Sequence, residues 1–342
     1  THFRPKSKKA AIEAVEKYGS GCSGSRFLNG TLTIHVELEK RLASFLGKES
    51  VITFSTGYQT NLGIISAIAG RNDYVICDSE NHASIIDGCR LSFSKMLKFE
   101  HNNMEDLERI LKNIGDSYGK LIIVDGVFSM EGDIANLPGI VELAGKYGAK
   151  VMVDDAHSLG VLGEHGRGTA EYFGLEDKVD IIMGTFSKSL ASLGGFMAAK
   201  EDVIEYTKHV SRPFIFVASI PPSNAAAALA ALEIIETEPW RRKTLEDIST
   251  YMRKELKKLN IPLYESNSPI TPIIPVMTWD NERTLIATKM LREEGVYVNP
   301  VLSPAVKPGQ CRLRTSYTAT HTKEQLDKAL DAFEKVFNSI GA

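Results

Sequence analysis

Val151–His157 reads VMVDDAH. Three apolar residues run into two carboxylates, and a histidine follows three positions after the first acid. A short apolar run bounded by polar residues reads as a strand buried on both faces. In an open parallel sheet, ligands bind beyond the C-terminal ends of the strands, so an acid at position 154 faces a crevice. The plainer alternative is an aspartate capping the next helix, and this stretch alone does not choose between them.

Working outward, the same texture recurs at Val51–Phe54, Tyr74–Cys77, Leu121–Val124 and Ile181–Met183. Between these runs lie helical periods. Met104–Ile114 places Met104, Leu107, Ile110, Leu111 and Ile114 on one face, and Leu137–Tyr147 does the same with Pro138 in its first turn. Strands alternating with helices predict βαβ units and a mostly parallel sheet of the α/β class. After Pro221-Pro222 the texture changes. Ser223–Thr237 and Trp240–Asn260 read as helices, Ile273–Met277, Val296–Val298 and Cys311–Thr315 as strands, and Thr322–Ile340 as a closing helix with Thr322 at its N-cap. The expected division is an N-terminal segment 1–30, a large α/β domain 31–220, and a long helix with a small α+β domain 221–342.

The chain of 342 residues carries 40 Lys plus Arg against 43 Asp plus Glu, a net charge of −3, which disfavours a nucleic-acid binder. No apolar run is long enough to span a bilayer. Residues 1–10, THFRPKSKKA, are basic but lack the apolar core of a secretory signal, and the chain opens on Thr rather than Met, so its natural start is left open. Cys22, Cys77, Cys89 and Cys311 are scattered, without a CxxC pair, which points to a reducing, cytoplasmic setting.

Chemistry concentrates at the strand ends. Ile181–Gly195, IIMGTFSKSLASLGG, runs a buried strand into Thr185, Ser187, Lys188 and Ser189. A lysine there reads as sheltered, which would make its amine nucleophilic; the alternative is a surface lysine. Phe54–Asn61, FSTGYQTN, turns a strand through Gly57 into a helix whose N-terminal amides suit an anion, with Tyr58 a packing residue by default. His82 follows another strand in DSENHASIIDG, where a local loop bond is the alternative. In VDGVFSMEGD, Ser129 and Glu131 are available to hydrogen-bond a ring substituent. A strand-end acid, a following lysine and an upstream glycine turn are together the parts needed for pyridoxal 5′-phosphate (PLP). The acid holds a proton on the ring nitrogen, the lysine bonds the aldehyde carbon, and the turn with its hydroxyls takes the phosphate. No HExxH, GxGxxG or P-loop pattern competes, so no metal site is expected.

These residues fall in motifs that resemble the α-oxoamine synthase family of fold-type I PLP enzymes. The resemblance runs from Gly19 to the C-terminus. It rests on YGSGCSGSRFLNGT (Tyr18–Thr31), FSTGYQTN, ENHASIIDG, GVFSMEGD, VDDAHSLGVLGEHGRG (Val153–Gly168), GTFSKSLASLGG and CRLRTSYTATHT (Cys311–Thr322). It implies a large domain with a mostly parallel seven-stranded sheet and a small C-terminal α+β domain. Lys188 would bond the cofactor, Asp154 would pair with the ring nitrogen, His157 would meet the phenolic oxygen, and His82 would stack on the ring. Gly57 and Tyr58 amides with Thr185 and Ser187 hydroxyls would hold the phosphate, and Ser129 would also touch the cofactor. Phe214–Ser219, with Ser219, would reach the partner's phosphate in a homodimer with shared sites. Arg314 would hold the substrate carboxylate, assisted by Ser25 of the partner.

Gly24–Thr31, Gly184–Ser189, Pro213–Ser219 and Arg314–Thr322 are most similar to the bacterial serine palmitoyltransferase branch. That implies condensation of L-serine with a long-chain acyl-CoA, palmitoyl-CoA, giving 3-ketodihydrosphingosine, CoA and CO2, and a lipid-like product compatible with loose membrane association. The alternatives are glycine C-acetyltransferase or 8-amino-7-oxononanoate synthase within the family, an aminotransferase or aldolase on the same fold, and a non-catalytic subunit. The Val301–Pro308 loop lacks an arginine that some relatives carry, and the family's N-terminal region is expected to be short, leaving acyl length open.

Overall fold

The structure, a computed structural model, describes residues 5–266, 268, 269 and 271–341. Among these, seven strands form one sheet in the order β1-β7-β6-β5-β4-β2-β3. They are β1 Ser50–Phe54, β2 Asp73–Asp78, β3 Lys95–Phe99, β4 Gly119–Asp125, β5 Lys150–Asp154, β6 Ile181–Thr185 and β7 Gly195–Ala199. β7 runs antiparallel to both β1 and β6, and the other pairings are parallel. A second sheet holds β8 Ile273–Trp279, β9 Asn299–Val301 and β10 Cys311–Ser316, all antiparallel with β10 central.

The mostly parallel arrangement follows from the apolar runs. The last four residues of β5 and all five of β6 and β7 are buried, which only a sheet covered on both faces provides. The helix Leu137–Tyr147 forms over the span its periodicity predicts. Asn136 caps it by accepting from Gly139 N, Pro138 fills the first turn, and Gly148 ends it at φ 63°. Thr322 caps Lys323–Ile340 reciprocally with Gln325.

The expected strand Val296–Val298 lies three residues further on, at Asn299–Val301. The cause is the preceding helix, Asn281–Glu293. Gly295 takes φ 80° and Val296 N donates to Leu291 O at 2.8 Å, so residues 295–296 close that helix and the strand starts only after them.

Two compact units result. One takes in the chain up to Val127 and Ala135–Pro239, the other Phe128–Ile134 and Trp240 onward. This differs from the expected break at 220/221, because the helix Pro222–Thr237 packs on the helices Pro5–Tyr18 and Thr33–Leu46 of the larger unit. Residues 1–30 accordingly contribute a helix to that unit rather than standing apart. The larger core gathers Ile52, Phe54, Ile64, Val75, Ile123, Met152 and Met197 about the sheet, and the smaller gathers Met252, Leu291, Leu313 and Phe333. Cys77 and Cys89, distant in the sequence, bring their thiols to 3.5 Å in the larger core. No helix among the described residues is long and apolar enough to cross a membrane.

Candidate active site

Because β7 is antiparallel to both its neighbours, β1 and β6 point the same way, and so do β5, β4 and β2. Five C-terminal strand ends therefore share one edge of the sheet, and each delivers a side chain or a turn. β1 leads into Gly57, β2 into His82, β4 ends on Asp125, β5 on Asp154, and β6 on Thr185, followed by Ser187 and Lys188. The larger unit thus brings together Gly57, Tyr58, His82, Asp154, Thr185, Ser187 and Lys188.

The anion end is built by close approach. The helix Gly57–Ile68 starts directly on the sheet, with Thr56 as N-cap accepting from Gln59 N at 3.1 Å. A Cβ on Gly57 would lie 2.6 Å from Thr185 Oγ1, and one on Gly195 would lie 2.4 Å from Thr60 Oγ1. Both positions need glycine so that the helix N-terminus can sit against β6 and β7. Thr185 Oγ1 is 2.9 Å from Ser187 Oγ. Thr185 Oγ1 also donates to Gly194 O at 3.1 Å, so the helix N–H groups and the Ser187 hydroxyl are the donors that suit a phosphate dianion as it stands.

Asp154 is 4% exposed. Its Oδ2 accepts from Asn61 Nδ2 at 2.7 Å and its Oδ1 from Ala156 N at 3.0 Å, so the carboxylate is pinned at the strand end. The same Asn61 amide donates to Ser84 Oγ at 2.9 Å, and Ser84 Oγ lies 2.7 Å from His82 Nδ1. His82 caps the helix Ala83–Leu91, and its backbone N donates to Asp125 Oδ2 at 3.2 Å, while its ring stays exposed on one side. Desolvation of its tied edge lowers the imidazole; the Asp154 carboxylate opposes this and the Lys188 ammonium adds to it. Asp125 is pushed well above the carboxylate range by complete burial and then by Asp154, against the pull of Lys188. His82, Asp125, Asp154 and Lys188 thus share one electrostatic neighbourhood, and one bracketed by a carboxylate and an amine suits a pyridine aldehyde.

Several expectations need correction. Lys188 is exposed on the chain rather than sheltered. β6 ends at Thr185, Phe186 turns fully into the core, and Ser187 and Lys188 are left facing outward. Glu131 does not stand available for a ring substituent, because the fully buried Arg312 guanidinium takes it at 3.1 Å. Tyr58 is not packed: it is 42% exposed and its hydroxyl donates to Asp87. Asp155, the second acid of the motif, turns away to Ser158 Oγ and Thr169 Oγ1, both at 2.6 Å. His157 is half-buried in the turn after β5.

Ser25 and Ser219 lie on two segments of the larger unit that meet, and Ser55 Oγ, two residues before Gly57, donates to Ala218 O. Ser25 bridges Ala218, and Ser219 N donates to Gly24 O at 3.0 Å. Ser129 and Arg314 belong to the smaller unit, where the half-buried Arg314 donates through Nε to Ser129 O and burial lowers its guanidinium. Asn61, Ser84 and Asp125 escaped the reading of the sequence, although all three lie inside the quoted motifs. The available signals were the i, i+4 spacing of Asn61 from Gly57 and the cap pattern of a Ser two positions after His82.

The chain is similar to known proteins along nearly its whole length. Residues 4–333 match the model of aminotransferase class I and II. A serine palmitoyltransferase of Sphingobacterium spiritivorum is 54% identical over 97% of this chain and 83% of its own length. An 8-amino-7-oxononanoate synthase of Thermoanaerobacter pseudethanolicus is 47% identical over 97% of this chain and 84% of its own. A serine palmitoyltransferase solved with its PLP internal aldimine superposes with a TM-score of 0.97 at 40% identity, covering 99% of this chain and 85% of that one. The chain belongs to the aminotransferase class I and II family, with the fold-type I architecture, the PLP dependence and the acyltransferase chemistry of the α-oxoamine synthases.

Proposed function

We propose that the protein condenses L-serine with palmitoyl-CoA, releasing CoA and CO2 and giving 3-ketodihydrosphingosine, the first step of sphingolipid synthesis. The observation that carries this is the higher identity to a serine palmitoyltransferase, 54% against 47% for an 8-amino-7-oxononanoate synthase over equal shares of the chain.

The site residues fit the cofactor by the chemistry of their donors: a pinned carboxylate, an amine, and a helix N-terminus beside two hydroxyls. Bound PLP supplies an electron sink for charge that develops on the amino-acid α-carbon. Asp154 would keep a proton on the ring nitrogen. Lys188 would hold the cofactor's aldehyde carbon, and its Nζ would serve as the base that takes the proton of the substrate α-carbon and returns one to the product. His157 would donate to the phenolic oxygen of the cofactor and to the thioester carbonyl as negative charge builds on it. In the family resemblance Arg314 would take the substrate carboxylate, which its planar fork suits, and Ser129 would serve the cofactor. Gly57, Tyr58, Thr185 and Ser187 would hold the phosphate, and His82 would cover the ring.

The reading includes a homodimer in which Ser25 and Ser219 serve the partner's site. Its support is the exposed apolar groups Phe27, Leu28 and Phe216, at 49%, 81% and 71%, on the two segments that the Ser25–Ala218 bridge joins. The four free cysteines support a cytoplasmic location, and a lipid-like product supports loose membrane association.

The test is CoA release with L-serine, glycine, L-alanine and L-threonine against acyl-CoAs of graded length, with products identified by mass. Serine with palmitoyl-CoA is expected to turn over fastest, and Lys188→Ala to form no product and lose the visible absorption of lysine-bound cofactor. Faster turnover with glycine or alanine would move the assignment to another branch of the family.

A further inference from the structure

Asn61 joins two cofactor contacts that come from different elements. It lies one turn into the helix Gly57–Ile68, 1% exposed, between β5 and the cap of the helix Ala83–Leu91. A carboxylate oxygen only accepts hydrogen bonds, so Asn61 presents its NH2 group to Asp154 Oδ2. The second hydrogen of that group points at Ser84 Oγ. With its oxygen accepting from Asn61, the Ser84 hydroxyl has its own proton to give, and His82 Nδ1 lies 2.7 Å away. Ser84 N also donates to His82 Nδ1, at 3.3 Å. Two donors converge on one ring nitrogen, which must therefore offer a lone pair. The proton of the neutral ring then sits on Nε2, and protonating Nδ1 would set a third hydrogen against these two.

From this chain we infer that Asn61 and Ser84 are positioning residues of the site: together they aim the Asp154 carboxylate and hold His82 as the neutral Nε2–H tautomer. The inference rests on the PLP reading above and deepens it. Asn61 Oδ1 is buried without a partner among the described residues, so the amide is kept in place for its NH2 group. The groups that face His82 are Asp154 from β5, Asp125 from β4 through the backbone N, Lys188 after β6, and Tyr58, whose ring stands edge-on at 6.4 Å. A histidine kept neutral there can lie against a ring bearing a proton on its nitrogen without setting a second positive charge on it. It also leaves Asp154 to serve that nitrogen alone.

The test reads the tautomer directly. The full chain is labelled with 15N-histidine, the His82 signals are assigned with His82→Gln, and the ring nitrogens are followed against pH with and without bound PLP. The wild-type ring is expected as Nε2–H, protonating only below the ordinary histidine range. Ser84→Ala should mix the two tautomers and raise the titration midpoint, and Ser84→Thr should restore both. Asn61→Ala should do the same and weaken PLP binding by about tenfold, the loss of one hydrogen bond to a charged group. A wild-type Nδ1–H tautomer, an imidazolium at neutral pH, or an unchanged His82 in Ser84→Ala would overturn the inference. Should Asn61→Ala not fold, Ser84→Ala decides alone. The readout needs no amino acid or acyl-CoA, so failure of the substrate assignment would show in the turnover assay and leave this result standing.

Discussion

Asp154 ends β5 with each carboxylate oxygen committed to a donor, whereas Asp155 is fully buried among Ser158, Thr169 and the Gly168 backbone. Adjacent acids thus face opposite sides of the strand end, as the period of two requires. Asp154→Asn should keep the fold and cut turnover by about 10²–10³-fold, the cost of removing one preorganised electrostatic partner; kcat with bound cofactor checks it. Asp155 acts on stability instead. Burial pushes its carboxyl up to about 6 from an unfolded value of 3.8. The folded state binds this proton more tightly, so the contribution is full below pH 3.8 and is lost as pH rises through about 6. Asp155→Asn, neutral at every pH, should flatten the fall of Tm across that interval while Asp154→Asn leaves it in place, and thermal melts at stepped pH decide. The sequence showed this pair but not which acid faced the crevice, since that depends on Ser158 and Thr169 closing around the second.

At the scale of elements, legibility followed burial. β1, β2, β4, β5 and β6 were visible as apolar runs because both of their faces are covered. β3, KMLKF, escaped because it is an edge strand that keeps two lysines and pairs only with β2. β7, GFMAA, escaped because it has no β-branched residue and opens on Gly195, which lets the helix Gly57–Ile68 approach. The phosphate end was legible as a glycine turn, but its precision was not, since it depends on Thr185 lying under Gly57 across two strands. Gly57→Ala tests that fit. The added methyl would meet Thr185 Oγ1 at 2.6 Å and lift the helix N-terminus from the hydroxyls. PLP affinity should fall about tenfold or more, the worth of a well-placed helix terminus at a partly buried anion, while Ser66→Ala, further along the same helix, should leave it unchanged.

At the scale of the molecule, the question is what the open edge of the larger unit meets. Lys188 and the His82 ring are exposed on the single chain, and nearby in sequence to the bridged Ser25–Ala218 segments stand three large exposed apolar groups. A soluble monomer rarely keeps such a patch in water, and a self-complementary surface closes most simply as a two-fold pair. The chain mass of 37.6 kDa should therefore appear doubled in light scattering coupled to gel filtration. Placing an acid at the most exposed of the three, Leu28→Asp, buries a charge in any such interface and should shift the population to single chains at micromolar concentration. If the site is completed across the two-fold, those single chains keep their fold, by circular dichroism, yet lose turnover together with the dimer. If each chain is complete in itself, turnover per chain survives dissociation, and Ser25 and Ser219 then act only within their own subunit.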